Sequence, residues 1–204
     1  TNETNIWPRG YPIQKIHENY SLQNIIDVIN APIQQGLANN NPDVDAIYRM
    51  VNKLPFNFDD NKDIALDKFC WCPFNSQVTT WFKKAFPLMY LPSTCTFRMT
   101  DIWRSFIAQR ILWENNSILM FHSASVEQER NEHSLLKDFK DEIPGYVNNQ
   151  IIVDALSNLK LKKGWDNVLE NMFICYEKLI DIDIFLPSEM IILKNWELEL
   201  EKIF

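Results

Sequence analysis

The chain has 204 residues, of which 46% are hydrophobic, and this is enough apolar material for one substantial core, so a disordered chain is excluded. Its formal net charge of −7, from 27 acidic and 20 basic residues, argues against a broad nucleic-acid-binding surface. No apolar stretch reaches the roughly 20 residues that a membrane span requires, and the N-terminus has no signal-peptide pattern.

The first predicted element is an irregular loop at residues 7–12, WPRGYP. Its two prolines and its glycine fix the backbone and hold Arg9 in place beside aromatic rings. Residues 16–30 follow with intermittent helical spacing, and Pro32 ends whatever helix forms there.

Asp43 and Asp45 follow an Asn-rich turn, and their spacing allows two interpretations. Two carboxylates in a DxD pattern could chelate a hard divalent cation and bridge it to a diphosphate. Alternatively, either carboxylate could cap a short helix that runs through Met50. A metal-binding pair of this kind usually comes directly after an apolar strand, so the preceding turn favours capping.

Residues 56–67 form a polar excursion, and residues 69–74 are predicted to return to the core as a strand. The loop after this strand carries Asn75 and Gln77, whose amides could bind sugar hydroxyls. Polar amides beside an apolar segment need hydrogen-bond partners, which makes this loop a candidate binding element. The aromatic residues between 78 and 90 are expected to pack in the core rather than to stack on carbohydrate.

Residues 97–133 combine a clear pattern of helix, strand and polar loop with many side chains that could take part in catalysis or binding. A helix is predicted to begin at Asp101, with Thr100 as its N-cap and with Arg98 and Arg104 on either side of the carboxylate. Residues 118–121 form a short apolar run that predicts a buried strand, and a polar loop with two histidines follows. Ligands of α/β proteins bind where strands end and helices begin, so the site is expected here.

The remainder of the chain is predicted to be helical. An amphipathic helix begins near residue 133 and is expected to end at Pro144-Gly145. Three further helical patterns cover residues 147–159, 165–180 and 190–203. The expected organisation is a core of residues 1–145 and a helical extension of residues 146–204, which packs against that core or a partner.

The order of motifs resembles the DUF288 or STELLO-like family of inferred glycosyltransferases and, more distantly, the reversibly glycosylated polypeptides of plants. The residues that carry the resemblance are WPRGYP (7–12), QGLANNNPDVDAIYR (35–49), PFNSQ (73–77), FRMTDIWRSFIAQRILWE (97–114) and QERNEHSLLKDFKDE (128–142). The resemblance implies an α/β fold of the GT-A-like, mixed-sheet type, with a nucleotide-sugar half followed by an acceptor half.

The family's acidic metal motif and nucleotide-binding units lie upstream of the WPRG segment, so these residues resemble the second, acceptor-side half of the domain. The chain also lacks a starting Met, which suggests a trimmed product or a part of something longer. A missing N-terminal half or a partner chain would complete the site. If the chain behaves like STELLO proteins, its place is the Golgi lumen, and otherwise the cytoplasm.

The implied function is transfer of a sugar from a nucleotide-sugar donor to a hydroxyl of a carbohydrate or protein acceptor. Such a reaction needs a carboxylate that accepts the proton of the attacking hydroxyl, and Asp101 suits this role because the charged form is favoured at a helix N-terminus. The resemblance implies the same role. Asp101 could instead merely cap the helix or pair with Arg104. The alternative function is a non-catalytic GT-A-like module that binds a protein partner.

A divalent cation, Mn²⁺ or Mg²⁺, is the implied cofactor. His122, which is similar to the histidine in the YHS segment of the reversibly glycosylated polypeptides, is the candidate metal ligand, and His133 competes with it. The four cysteines lack the spacing of a metal cluster and are predicted to be buried thiols. The remaining candidates for contacts with donor phosphates or sugars are Arg9, Asp43, Asp45, Asn75, Gln77, Arg98, Trp103, Arg104 and Arg130.

Overall fold

The computed structural model describes residues 6–18, 21, 23, 30–59, 62–129 and 134–203. Within these residues the strands are β1 (Ile33–Asn40), β2 (Ile64–Ala65), β3 (Thr79–Trp81) and β4 (Leu119–Gln128). The helices are α1 (Ala46–Val51), α2 (Thr100–Glu114), α3 (Leu135–Ser157), α4 (Val168–Asp181) and α5 (Glu189–Leu200).

The strands form one open mixed sheet with the order β2-β4-β1-β3. The central strands β1 and β4 are parallel, with Ile33 opposite Leu119 and Gly36 opposite His122, and both edge strands are antiparallel to their neighbours. A parallel pair requires a long crossover connection, and α1 and α2 lie in that connection. The mixed sheet with helices is consistent with an α/β, GT-A-like fold, as predicted.

Helix α2 is the centre of the hydrophobic core, because every side chain from residue 102 to residue 113 is buried. The buried cluster joins Ile33 of β1 and Phe106 of α2 to Ile152, Leu179 and Leu193 of the three C-terminal helices. Because α2 is buried all round, its polar Arg104, Ser105, Gln109 and Arg110 included, neighbours must cover it on every side, and α3, α4 and the sheet contribute to this cover. Among the described residues, no helix has both the length and the hydrophobicity that a bilayer crossing requires.

Two predictions about the C-terminal helices have different outcomes. The helix predicted to end at Pro144-Gly145 instead runs through both residues as part of α3, so the expected boundary between residues 145 and 146 falls inside one helix. Gly145 allows close packing there, since a Cβ would collide with the buried Met99 thioether. Tertiary packing thus overrides the helix-breaking tendency of proline. The helix predicted at residues 147–159 is the second part of α3, and the helices predicted at 165–180 and 190–203 are confirmed by α4 and α5.

The strand predictions were less accurate. Residues 69–74 form no strand, and the predicted strand at 118–121 is the beginning of the longer β4, so His122 lies in a strand and not in a loop. Pairing with β1 along nearly its full length extends β4 beyond its apolar part. Most of the helical spacing between residues 16 and 30 falls outside the described residues.

Candidate functional site

The loop at residues 7–12 is held in place from several directions. The Trp7 indole donates to Asp45 Oδ2 at 2.7 Å, and the Arg9 amide donates to the carbonyl of Asp43 at 2.9 Å. Gly10 has φ of +85°, and its carbonyl accepts from Asn149 Nδ2 at 2.7 Å. Because glycine adopts this φ without steric cost, the chain can turn here and direct Arg9 inward.

Replacing Gly10 by Ala is expected to destabilise the fold in two ways. A Cβ would overlap Ile102 Cγ2 of α2, a side chain that is 1% exposed. The overlap should cost about 1–3 kcal/mol, and the left-handed backbone about 1–2 kcal/mol more. A double-mutant cycle with Ile102→Ala, measured by urea unfolding, separates these terms, because only the backbone cost remains without the Ile102 side chain. Additive losses in the cycle would contradict this packing.

Arg9 is 7% exposed. It lies at the centre of a polar cluster, the Arg9 cluster, which it forms with the carboxylates of Asp43 and Asp101. Its Nε and Nη2 donate to the two oxygens of Asp43 at 3.0 and 2.8 Å. Its Nη1 and Nη2 donate to the two oxygens of Asp101 at 3.1 Å each, and Nη1 also donates to the carbonyl of Arg98. All five N–H groups of a guanidinium are therefore engaged, and Arg9 could contact a phosphate only by releasing one of these acceptors.

Charge pairing determines the protonation of this cluster. Burial alone would lower the pKa of Arg9, but the charges of Asp43 and Asp101 outweigh burial and raise that pKa above its ordinary value. Burial alone would likewise raise the pKa of Asp43, but the Arg9 charge and the hydrogen bonds from Arg9 and Asn75 together hold that pKa below its ordinary value of 3.8. The Arg9–Asp43 pair is thus charged at neutral pH.

The loop with Asn75 and Gln77 contacts both carboxylates. Asn75 Nδ2 donates to Asp43 Oδ2 at 2.8 Å, and the backbone amide of Ser76 donates to Asp101 Oδ2 at 3.2 Å. Among the described contacts, Asp101 Oδ1 accepts only from Arg9, so this oxygen keeps an acceptor site for a ligand hydroxyl. The Asp101 side chain is 15% exposed and therefore accessible to a ligand.

Asp45 has a different role from Asp43. It caps α1 by accepting from the Tyr48 amide at 2.7 Å, which confirms the capping prediction. Asp45 is 0% exposed, and burial raises its pKa to about 6. With Asp45 bound to the cap and to Trp7, and Asp43 bound to Arg9 and Asn75, the two carboxylates do not converge as a chelating pair.

The raised pKa of Asp45 predicts a specific pH dependence of stability. Because the pKa is 3.8 in the unfolded chain and about 6 in the folded chain, the contribution of Asp45 is full below pH 3.8 and is lost as the pH rises through 6. Between pH 7.5 and pH 5, wild type should gain about 1 kcal/mol that Asp45→Asn does not gain. Urea unfolding at both pH values tests this, and the same difference between the two proteins at both would contradict it.

Arg98, Arg104 and Trp103 are engaged in structural contacts. Arg98 Nε donates to Glu142 Oε1 at 2.9 Å. Arg104 lies over the rings of Phe74 and Trp81, at 5.3 and 4.7 Å from their centroids, and burial lowers its pKa to about 10. Its Nη2 donates to Ser76 Oγ at 3.1 Å, and its Nε contacts the main-chain oxygen of Asp101. The Asp101 side chain is thus paired with Arg9 and not with Arg104.

Trp103 is 3% exposed and donates from its indole to Asn149 Oδ1 at 2.9 Å. It does not line the pocket described below. Thr100 is not the N-cap of α2; it is the first helical residue, and its hydroxyl donates to the carbonyl of Phe97 at 3.0 Å. A short 3₁₀ turn at Phe97–Met99 leads directly into α2, so no extended residue is available as a cap.

A pocket of about 310 Å³ lies beside the Arg9 cluster. Its polar wall contains the predicted residues Arg9, Asp43, Asn75 and Gln77. The rest of the wall is mainly apolar and comes from the sheet and neighbouring loops: Leu37, Ala38, Val44, Phe58, Ile64, Phe74, Val78, Ile102 and Phe121. Asp101 precedes Ile102 and is bonded to Arg9, which places its carboxylate next to the polar wall.

His122 does not assemble a metal site with the other described residues. Its Nε2 is 2.8 Å from Gln34 Oε1, and its Nδ1 is 3.1 Å from Asp63 Oδ1, so both ring nitrogens have partners. The described part of the chain contains no group of three or more His, Cys, Asp or Glu side chains placed to hold a metal ion. His133 and Arg130 lie outside the described residues. These residues alone therefore do not fit a divalent cation.

Sequence reasoning missed two contributors to the site. Glu142 of α3 is 1% exposed and accepts from the Ala46 amide at 2.8 Å as well as from Arg98. It therefore connects α1 to the 3₁₀ turn that precedes α2. Gln35 of β1 donates to the carbonyls of Gly36 and Gln77, at 2.7 Å each, and supports the binding loop. The sequence around Glu142 contains no local pattern that predicts a hydrogen-bond partner 96 residues away.

These features define an α/β protein with a carboxylate cluster beside a small pocket, and comparison with known proteins identifies the family. The model of the STELLO glycosyltransferases matches residues 98–203. "Probable glycosyltransferase STELLO2" of Arabidopsis thaliana is 30% identical over 186 residues, which cover 86% of this chain and 24% of that protein. "Probable glycosyltransferase STELLO1" of the same plant is 30% identical over 120 residues, with coverages of 55% and 16%.

The chain belongs to the STELLO glycosyltransferase family, which confirms the resemblance found in the sequence. It spans about a quarter or less of the length of the two relatives.

Proposed function

We propose that the chain forms the acceptor side of a glycosyltransferase that moves a sugar from a nucleotide-sugar donor to a hydroxyl of a carbohydrate or protein acceptor. The observation that supports this most strongly is the position of Asp101. It lies in the first turn of α2, its carboxylate is fixed by Arg9 and by the Ser76 amide, and one of its oxygens keeps an acceptor site.

In the proposed reaction, the acceptor oxygen forms a bond to the anomeric carbon while the bond from that carbon to the diphosphate oxygen breaks. The bonding pair leaves with the diphosphate, and the hydroxyl proton passes to Asp101. Arg9 and the Ser76 amide hold the carboxylate in one orientation, which a general base requires. Asn75 and Gln77 are the proposed contacts to the hydroxyl-bearing part of the acceptor, since both belong to the polar wall of the pocket, on the side next to this cluster.

The donor and a divalent cation, Mn²⁺ or Mg²⁺, would come together with this surface through a second half, in the same polypeptide or in a partner chain. His122 is the proposed metal contact from the described residues, and His133 from outside them. The described residues alone do not assemble a site for the ion, so the second half would have to supply further ligands.

The alternative function is a non-catalytic module that binds a protein partner. It is favoured by the full engagement of Arg9 and by large exposed side chains, among them Phe97 at 88% and Leu136 at 74% exposure.

One experiment distinguishes the two functions. The protein, as its source organism makes it, is incubated with a panel of nucleotide sugars, with manganese or magnesium and with a mixture of acceptor glycosides, and the released nucleoside diphosphate is measured. Release that depends on the acceptor is the expected result. Absence of release with every donor, from a protein shown to be folded, would favour the binding module.

A further inference from the structure

The pocket beside the Arg9 cluster has few polar groups left for a ligand. Arg9 and Asp43 neutralise each other, and Asn75 is bonded both to Asp43 and to the Gln77 amide. Gln35 donates to two carbonyls and accepts from Thr79. Among the polar side chains that line the pocket in the described residues, only the exposed side-chain amide of Gln77 has no hydrogen-bond partner. A diphosphate would therefore find no available cation here.

The remainder of the wall favours an apolar ligand. Side chains such as Leu37, Phe58, Phe74 and Phe121 surround a volume of about 310 Å³, which lies at the lower end of the range for small-molecule sites. Removing apolar surface from water stabilises a complex in proportion to the area buried. An alkyl or aryl group matches this wall, whereas the hydroxyls of a bare sugar would lose water without gaining partners.

The backbone near Val78 shapes this wall. Val78 has φ of +45°, which is rare for a β-branched residue, and its carbonyl accepts from the Gly36 amide at 2.8 Å. A Cβ on Gly36 would approach Val78 Cγ1 to 2.6 Å, so only glycine allows β1 to come this close. Val78 thus has a strained backbone conformation, and this conformation keeps its isopropyl group in the pocket wall.

We propose that this pocket binds an uncharged alkyl or aryl group carried by the acceptor. Given the proposed function, the acceptor is an amphiphilic molecule whose apolar part occupies the pocket while its hydroxyl-bearing part extends past Gln77 toward Asp101. The apolar part supplies binding energy, and the polar cluster positions the reacting hydroxyl.

Titration calorimetry without any donor tests this assignment, with glucose, methyl β-glucoside, phenyl β-glucoside and octyl β-glucoside below its micelle concentration. The octyl or the phenyl glycoside should bind at least about 100-fold more tightly than the methyl glycoside, which three to four buried methylene groups would supply. Preference for octyl identifies an alkyl group, and preference for phenyl an aryl group. Equal binding of all four probes would overturn the assignment.

Matched variants show where the probe binds. Ala38→Phe fills the pocket and should abolish the preference, whereas the same change at Ala124, on the neighbouring strand and outside the pocket, should keep it. Val78→Thr keeps the shape but adds a hydroxyl, and it should weaken octyl binding several-fold even if Ala38→Phe fails to fold. Unchanged octyl binding in the folded pocket variants would overturn the assignment.

The binding assay is independent of transfer. If the octyl glycoside binds in the pocket but no donor ever yields a product, the proposed function fails and the pocket assignment stands. If glycosides are glycosylated with no preference for an apolar group, the pocket assignment fails and the proposed function stands.

Discussion

Replacing Asp101 by Asn should lower kcat for sugar transfer by about 10²–10⁴-fold, the usual contribution of a general base. The amide cannot accept the proton of the attacking hydroxyl. The fold should survive, because Arg9 keeps both hydrogen bonds to Asp43 and its charge stays paired. Steady-state rates of nucleoside diphosphate release, together with urea unfolding, measure both effects.

Glu114→Gln is the matched control for this variant. Glu114 lies at the other end of α2, where it pairs with Arg110 at 2.8 Å, so its replacement also removes one carboxylate from an ion pair of the same helix. It should leave kcat within about two-fold of wild type, since Asp101, and not Glu114, is the proposed general base. Equal rates for Asp101→Asn and wild type would contradict the role of Asp101.

Replacing Arg9 by Met should lower the free energy of unfolding by about 3–5 kcal/mol, because it leaves two largely buried carboxylates without their cation. Both side chains are less than one-fifth exposed, at 17% for Asp43 and 15% for Asp101. Arg9→Lys keeps the charge but cannot form two forked contacts, and it should lose less stability than Arg9→Met. Urea unfolding at pH 7 measures the three proteins.

The pH dependence of the Arg9→Met defect provides a check. In wild type the pKa of Asp43 is lower in the folded chain than its unfolded value of 3.8, so the stability it contributes is present above that value and is lost as the pH falls through the folded pKa. Without Arg9 this contribution disappears. The deficit of the variant should therefore shrink below about pH 4. A deficit that stays constant down to pH 3 would contradict the charge pairing.

Local sequence signals predicted those parts of the structure that depend on neighbouring residues. The cap formed by Asp45, the central helix α2 and the helices α4 and α5 follow from turn chemistry and from the periodicity of apolar residues. The motifs also selected Arg9, Asp43, Asn75 and Asp101, which the structure brings into one hydrogen-bonded cluster.

The pairing within that cluster could not be predicted, because Arg9 and Asp101 are 92 residues apart and several other charges were equally suitable partners. Strand β1 was not predicted either, since Gln34 and Gln35 interrupt its apolar pattern. Both amides instead find specific partners, His122 for Gln34 and the 77–79 segment for Gln35. Both features depend on contacts between residues that are distant in the sequence, and a single sequence does not show which of these contacts form.

The central claim is that the two carboxylates bound to Arg9 have different roles, and the kinetics of Asp43→Asn beside Asp101→Asn test it most directly. Each variant leaves the other carboxylate to pair with Arg9, so the two should be similar in stability. Asp101→Asn should lower kcat by about 10²–10⁴-fold, whereas Asp43→Asn, in the pocket wall, should act mainly by raising KM. Equal losses of kcat in both variants would contradict the claim.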